Sequence, residues 1–119
     1  MDRPSESLPS SEHFKPREFA CRHCGQIKLT RELLVHLELL RRIVRRPIPI
    51  VSGYRCAVHN AAIGGAPRSQ HLTGRAADIP PDIALLAQAK QAGFTGIGVL
   101  RGDAVHVDVR PGPRAIWTY

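Results

Sequence analysis

The clearest pattern of apolar and polar positions lies near the C-terminus, where residues 104–110 read Ala-Val-His-Val-Asp-Val-Arg. Strict alternation of this kind is typical of a β-strand that has one face on the core. The valines would share the inner face, and the outer face would carry His106, Asp108 and Arg110. A solvated surface is the plain explanation of such a polar face, so its chemistry has to be judged together with other residues.

Two amphipathic segments predict helices. Thr30 is a suitable N-cap for a helix over residues 31–45, whose leucines recur on one stripe. A second helix is predicted over residues 82–92, directly after two prolines and before Gly93. Its inward-facing residues would be Ile83, Leu86 and Ala87.

Short apolar runs predict strands over residues 48–51 and 94–100, in addition to residues 104–110. Helices and strands in this mixed order indicate an α+β fold, a compact single domain with a small antiparallel sheet backed by helices. Residues 13–119 would form this domain. Residues 1–12 are polar and rich in proline and serine, which predicts a flexible tail.

Composition agrees with one globular domain, since 43% of the 119 residues are hydrophobic and 23% are charged. The net charge of +7 suits a polyanionic partner such as a cell wall, an anionic lipid surface or nucleic acid, without choosing among them. No apolar run reaches the length of a membrane span. Residues 1–12 lack the apolar centre of a secretory signal, so we expect synthesis in the cytoplasm.

Three residues have the chemistry of a catalytic zinc site. Such sites usually hold zinc by three nitrogen or oxygen side chains and leave a fourth position for water. His71 lies in a glycine-flanked loop, Asp78 follows a short apolar run, and His106 lies on the predicted strand. The sequence therefore predicts that His71, Asp78 and His106 bind Zn²⁺.

A carboxylate near the metal is needed to take the proton of the attacking water. Asp103, three residues before His106, is the predicted general base. Asp108 has two alternative roles: it either accepts a hydrogen bond from a ligand imidazole or is itself the base.

The three cysteines leave several interpretations open. Cys21 and Cys24 have the spacing of a redox pair, of a disulfide or of half a metal site. Together with Cys56 and His59 they supply the ligand set of a closed structural zinc site. The plain alternative is reduced thiols, as expected in a cytoplasmic protein.

Several motifs together resemble the D-Ala-D-Ala carboxypeptidase family of zinc peptidases, which includes vancomycin-resistance dipeptidases and phage L-alanyl-D-glutamate endolysins. The similarity is greatest to the small single-domain members and extends over about residues 13–119. The motifs that carry it are Ser52-Gly-Tyr-Arg55, Asn60, Ile63-Gly-Gly-Ala66, Ser69-Gln-His-Leu-x-Gly-x-Ala-Ala-Asp78, Gly96-Ile-Gly98 and Val105-His-Val-Asp108.

The resemblance implies a compact zinc-peptidase fold, shared in outline with the hedgehog signalling domain. It also implies that Arg55 lies in the active site and stabilises the scissile carbonyl or a substrate carboxylate, for which a guanidinium is suited. A surface salt bridge is the alternative. Ser69 is a candidate for substrate binding, or simply a capping serine, and Trp117 either closes the core or lines the rim of the cleft.

We therefore expect a monomeric zinc peptidase that hydrolyses the stem peptide of peptidoglycan, and we favour the L-Ala–D-Glu bond over D-Ala–D-Ala. It would act on the cell wall after release, through phage lysis or from a virion. One alternative is a zinc-holding, non-catalytic wall-binding or virion protein. A nucleic-acid module built on the cysteines is disfavoured, because aromatic residues make up only 5% of the chain.

Overall fold

The computed structural model describes residues 8–119. Its helices are α1 (Arg31–Val44), α2 (Ala57–Ala62) and α3 (Leu86–Gln91), and its strands are β1 (Ala76–Asp78), β2 (Gly96–Leu100), β3 (Asp103–Asp108) and β4 (Ala115–Thr118). Two short 3-10 turns, Pro16–Phe19 and Gln70–Thr73, complete the regular structure of these residues. The predicted α+β class is confirmed.

The four strands form one sheet in the order β1-β3-β2-β4. Strand β3 is antiparallel to both of its neighbours, as predicted, whereas β4 is parallel to β2. Chain geometry explains the parallel pair. Because β3 ends beside Gly96, the first residue of β2, a short connection starts β4 at that same end, where Ala115 also pairs with Gly96.

Helix α1 agrees closely with its prediction. The Thr30 hydroxyl accepts a hydrogen bond from the Leu33 amide at 3.3 Å and so caps the first turn. The helix ends where Arg45 adopts a left-handed conformation with φ of 60°. The buried stripe consists of Leu33, Leu34, Leu37 and Leu40.

Two predicted elements differ in the structure: one strand is absent and one helix is shorter. Residues 48–51 form no strand, and the neighbouring Ser52 makes a single isolated bridge with Asp78. The second helix begins at Leu86 rather than at residue 82, because the preceding residues are held extended against β3. The Ala84 carbonyl accepts a hydrogen bond from the Ala104 amide at 2.8 Å, and Leu85 forms a bridge with Asp103.

The core lies between α1, α3 and the inner face of the sheet. Phe14 and Phe19 are fully buried in it and pin the N-terminal segment to the core. Residues 1–7 of the predicted tail lie outside the described residues, whereas Pro9 is buried. Within residues 8–119, no helix combines the length and apolar character needed to cross a membrane.

Candidate metal centre

Three side chains, which we call the triad, meet at one edge of the sheet: His71, Asp78 and His106. His71 lies on the 3-10 turn that precedes β1, and Asp78 at the end of β1 pairs directly with His106 on β3. Asp78 Oδ1 lies 3.1 Å from His71 Nε2 and 3.0 Å from His106 Nδ1. The structure therefore brings together the three predicted metal ligands.

The backbone orients the first imidazole. His71 is 1% exposed, and its Nδ1 donates a hydrogen bond to the Gly53 carbonyl oxygen at 2.6 Å. A carbonyl can only accept, so the proton of the neutral ring lies on Nδ1. The lone pair of Nε2 is thereby left for a metal beside Asp78.

A buried carboxylate orients the second imidazole. His106 Nε2 donates to Asp108 Oδ2 at 2.7 Å, which leaves Nδ1 with its lone pair on the side of Asp78. Asp108 is completely buried. The Arg110 guanidinium donates to both of its oxygens, at 2.9 and 2.7 Å. Of the two roles considered for Asp108, the geometry favours that of an acceptor that fixes His106.

The charges of these groups stabilise one another. Burial opposes ionisation of Asp78. In the metal-free state, His106 Nδ1 and His71 Nε2 donate to Asp78 in place of binding metal, and these hydrogen bonds hold the pKa of this carboxyl well below its ordinary value. The pKa of Asp108 is also lowered, because hydrogen bonds from Arg110 and His106 outweigh the effect of burial. Burial would lower the pKa of His106, but its bonds to Asp108 and Asp78 raise it. Ionised carboxylates at this position are ready to bind a cation.

The Gly96-Ile-Gly98 motif makes room for the groups around the triad. A Cβ atom on Gly96 would lie 2.1 Å from an oxygen of Asp108. One on Gly98 would lie 2.8 Å from the ring of Tyr119 and 2.9 Å from the indole nitrogen of Trp117. Both glycines are therefore required by the close approach of side chains that surround the metal ligands.

A cavity of about 390 Å³ opens above Asp78 and His106. Arg55 and Ser69 line it and are joined by a hydrogen bond of 3.1 Å from Arg55 Nη2 to Ser69 Oγ. The Ser69 hydroxyl also accepts from the His71 amide, so it caps the turn that carries this ligand. Both residues thus lie where a substrate of the triad would bind.

Trp117 lines the rim of the same cavity rather than closing the core. Its ring centroid is 5.2 Å from that of His106, and the Arg110 guanidinium carbon lies 4.9 Å above the indole. Tyr119 is a further lining residue. Nothing in the sequence pattern pointed to Tyr119, whereas Arg110 was already visible on the polar face of the predicted strand.

Asp103 lines a different cavity, together with Pro81 and Asp82, and its Oδ2 accepts a hydrogen bond from the Asp82 amide at 3.1 Å. Asp103 starts β3 at the hairpin with β2, and the pairing of these strands shifts between Gly98 and Val99. The predicted general base is therefore not among the residues that line the cavity above the triad.

The donor set fits zinc. Two neutral imidazole nitrogens and a carboxylate oxygen are the three-ligand set of catalytic zinc sites, which keep a fourth position open. Two ligands of a tetrahedral zinc, with bonds of about 2.0 Å, lie about 3.3 Å apart. The nitrogen–oxygen distances of 3.1 and 3.0 Å are close to that value. The cavity provides the space for water and substrate.

Comparison with known proteins agrees with this chemistry. A family model described as Peptidase M15 matches residues 12–108, which is most of the chain. Among curated proteins the comparison found no match. M15 peptidases are zinc-dependent and similar to D-Ala-D-Ala carboxypeptidases, so the resemblance noted in the sequence is confirmed. We conclude that the chain belongs to the Peptidase M15 family and is a zinc metallopeptidase.

Proposed function

We propose that this protein hydrolyses a peptide bond in the stem peptide of peptidoglycan, and we favour the L-Ala–D-Glu bond. One observation carries the proposal: two imidazoles, each anchored through its far nitrogen, direct their other nitrogens toward the position beside Asp78 that a metal would take, beneath a cavity of about 390 Å³. When bound there, a zinc ion lowers the pKa of a water molecule and polarises the scissile carbonyl.

Arg55 would stabilise the oxygen of the scissile carbonyl or bind a substrate carboxylate. Its guanidinium lines the cavity, and Ser69 accepts one of its hydrogen bonds. Arg55 Nε is buried and has no hydrogen-bond partner within the part of the chain that the structure describes. A planar cation with donors to spare suits a developing negative charge on the substrate.

Asp103 remains our proposal for the general base, because it lies three residues before His106. It would accept the proton of the attacking water and deliver it to the leaving amine. The Asp82 amide donates to its Oδ2, so Oδ1 would be the oxygen that takes the proton. Asp108 is a poorer candidate, since Arg110 and His106 already occupy its oxygens.

The preference for the L-Ala–D-Glu bond rests on charge. A net charge of +7 favours binding to an intact anionic wall, where an endopeptidase meets its substrate. We propose that the protein reaches the wall after release from the cell that makes it, by phage lysis or from a virion. In this proposal the partner of the protein is the peptide substrate rather than nucleic acid. The protein acts as a monomer.

Digestion of purified peptidoglycan, with and without a chelator, tests the proposal. We expect soluble fragments with new N-terminal D-glutamate, and no fragments when zinc has been removed. Free D-alanine with intact L-Ala–D-Glu bonds would show that the protein is a carboxypeptidase. Binding to the wall without any cleavage by the zinc-loaded protein would support the alternative, a non-catalytic zinc-holding wall or virion protein.

A further inference from the structure

The three cysteines of the chain converge at a second place, away from the triad. Cys21 and Cys24 lie on the loop after the first 3-10 turn, and Cys56 is the N-cap of α2. Their sulfur atoms all lie within 4.8 Å of one another, and all three are free thiols. We call this group the thiol cluster.

The loop that carries Cys21 and Cys24 is held in shape by its own backbone. The Cys21 amide donates to the Gln26 carbonyl at 2.8 Å, and the Gly25 amide donates to the Cys21 carbonyl at 2.9 Å. Gly25 has φ of 77°, a left-handed conformation that glycine adopts without strain. This tight turn presents both sulfurs on the side of Cys56.

Backbone amides point at two of the sulfur atoms. The Cys56 amide donates to Cys21 Sγ at 3.4 Å, and the His59 amide donates to Cys56 Sγ at 3.4 Å. Hydrogen bonds from N–H groups stabilise a thiolate more than a neutral thiol, and the thiolate is the form that binds metal. Two of the three sulfur atoms therefore accept hydrogen bonds from the backbone, an arrangement that suits metal-bound thiolates.

Two imidazoles border the cluster. His23 Nδ1 lies 3.5 Å from Cys56 Sγ, and the ring of His59 is parallel to that of His23 with centroids 6.0 Å apart. In a tetrahedral zinc site with bonds of about 2.3 Å to sulfur and 2.0 Å to nitrogen, these two kinds of ligand lie about 3.5 Å apart. The nitrogen of His23 is thus at ligand spacing from Cys56.

We propose that Cys21, Cys24 and Cys56 bind a second, structural zinc ion, with His23 as the fourth ligand. Three thiolates and one imidazole are a complete tetrahedral set of the closed type, which leaves no position for water or substrate. A redox pair would need only two of the sulfurs and no imidazole. The convergence of three sulfur atoms, with an imidazole nitrogen at ligand spacing from one of them, favours metal over disulfide chemistry.

Such an ion would stabilise the backbone next to the active site. Cys56 directly follows Arg55, which lines the cavity above the triad. In the same stretch, the Tyr54 amide donates to the Phe19 carbonyl at 2.9 Å, and the Gly53 carbonyl orients His71. The second zinc would tie the N-terminal segment to the stretch that positions Arg55 and His71. This inference does not depend on which bond the protein cuts.

Metal counting tests the site without reference to activity. Protein kept reduced is loaded with zinc, freed of excess metal and measured by native mass spectrometry. We expect about two zinc ions in the wild type, and about one in both Cys24→Ser and His71→Ala. Gln26→Ser, which changes an exposed side chain beside the turn, should keep both ions and is the matched control.

Cobalt substitution identifies the ligands, because thiolate bound to Co²⁺ gives a charge-transfer band in the near ultraviolet. The wild type and His71→Ala should show this band, His23→Ala should change it, and His59→Ala should leave it unchanged. A wild type that holds one ion and lacks the band would overturn the proposal. Because this measurement uses the wild-type protein, it does not depend on whether Cys24→Ser folds. A change in His59→Ala alone would overturn the assignment of His23.

Discussion

The triad and the thiol cluster contain a similar number of metal-binding groups, but their surroundings differ. At the triad, a carbonyl and a buried carboxylate hold the protons of the two imidazoles on the side away from Asp78. A cavity of about 390 Å³ lies above two of its ligands. At the thiol cluster, backbone amides donate to sulfur and an imidazole stands beside Cys56.

The surroundings suit the two sites to different uses: catalysis at the triad and structural stabilisation at the thiol cluster. The triad supplies three ligand groups and leaves space above them, whereas the thiol cluster supplies three sulfur atoms and has the His23 imidazole, the proposed fourth ligand, beside Cys56. Ligand chemistry alone does not separate the two uses. The neighbours of the ligands do, because they decide whether a water molecule and a substrate can reach the metal.

The largest expected effect comes from removing a triad ligand. His71→Ala should abolish zinc binding at the triad and hydrolysis of peptidoglycan, because two ligands do not hold zinc tightly. Metal content by mass spectrometry and release of soluble wall fragments measure the two effects. His13→Ala, at a half-exposed histidine that pairs with Glu38, is the control and should keep both properties. Tight zinc at the triad together with full hydrolysis in His71→Ala would mean that the assigned ligand set is wrong.

The next effect separates proton transfer from metal binding. Asp103→Asn keeps the shape of the side chain but cannot accept a proton, so kcat should fall about 10²–10⁴-fold while zinc content stays unchanged. Steady-state assays on wall fragments and metal analysis of the same sample give the answer. Normal turnover would show that Asp103, whose carboxylate is bound to the Asp82 amide, is not the base.

A smaller effect is expected at the carboxylate that orients His106. Asp108→Asn removes the charge that Arg110 and His106 share, and zinc affinity at the triad should fall about 10–100-fold. Competition with a chelator of known affinity measures this change, with Cys24→Ser as the background so that only the triad is titrated. Unchanged affinity would indicate that the Gly53 carbonyl at His71 suffices to orient the site.

The smallest expected effect is a dependence of zinc affinity at the triad on pH, caused by the protonation of His106. Hydrogen bonds to Asp108 and Asp78 raise the pKa of its imidazole in the metal-free protein, and this ring must lose a proton to bind metal. Zinc affinity at the triad should therefore fall about tenfold per unit as pH drops below that raised pKa, starting above the ordinary value of about 6.5. Chelator competition at several pH values measures the slope. An affinity that stays constant down to the ordinary pKa would contradict the raised value.

Local patterns in the sequence were sufficient for several features of this protein. The stripe of leucines and the Thr30 cap predicted α1 almost to the residue, because hydrophobic period and capping are properties of neighbouring residues. Alternation predicted β3 and the polar face that carries His106. The motif around His71 and Asp78 indicated the metal ligands and the peptidase family. The family is confirmed by the family model that matches residues 12–108.

Other features depended on residues that are distant in the chain. Trp117 lies at the cavity above the triad because β4 pairs with β2, and Asp103 lines a different cavity, with its carboxylate bound to the Asp82 amide. Cys56 meets Cys21 across 35 positions of sequence. Strand register, chain crossings and the meeting of remote loops are set by the packing of the whole core, whereas period, caps and motifs are set by adjacent residues. For this reason the sequence alone determined which residues are candidate metal ligands, and only the tertiary structure decided what surrounds them.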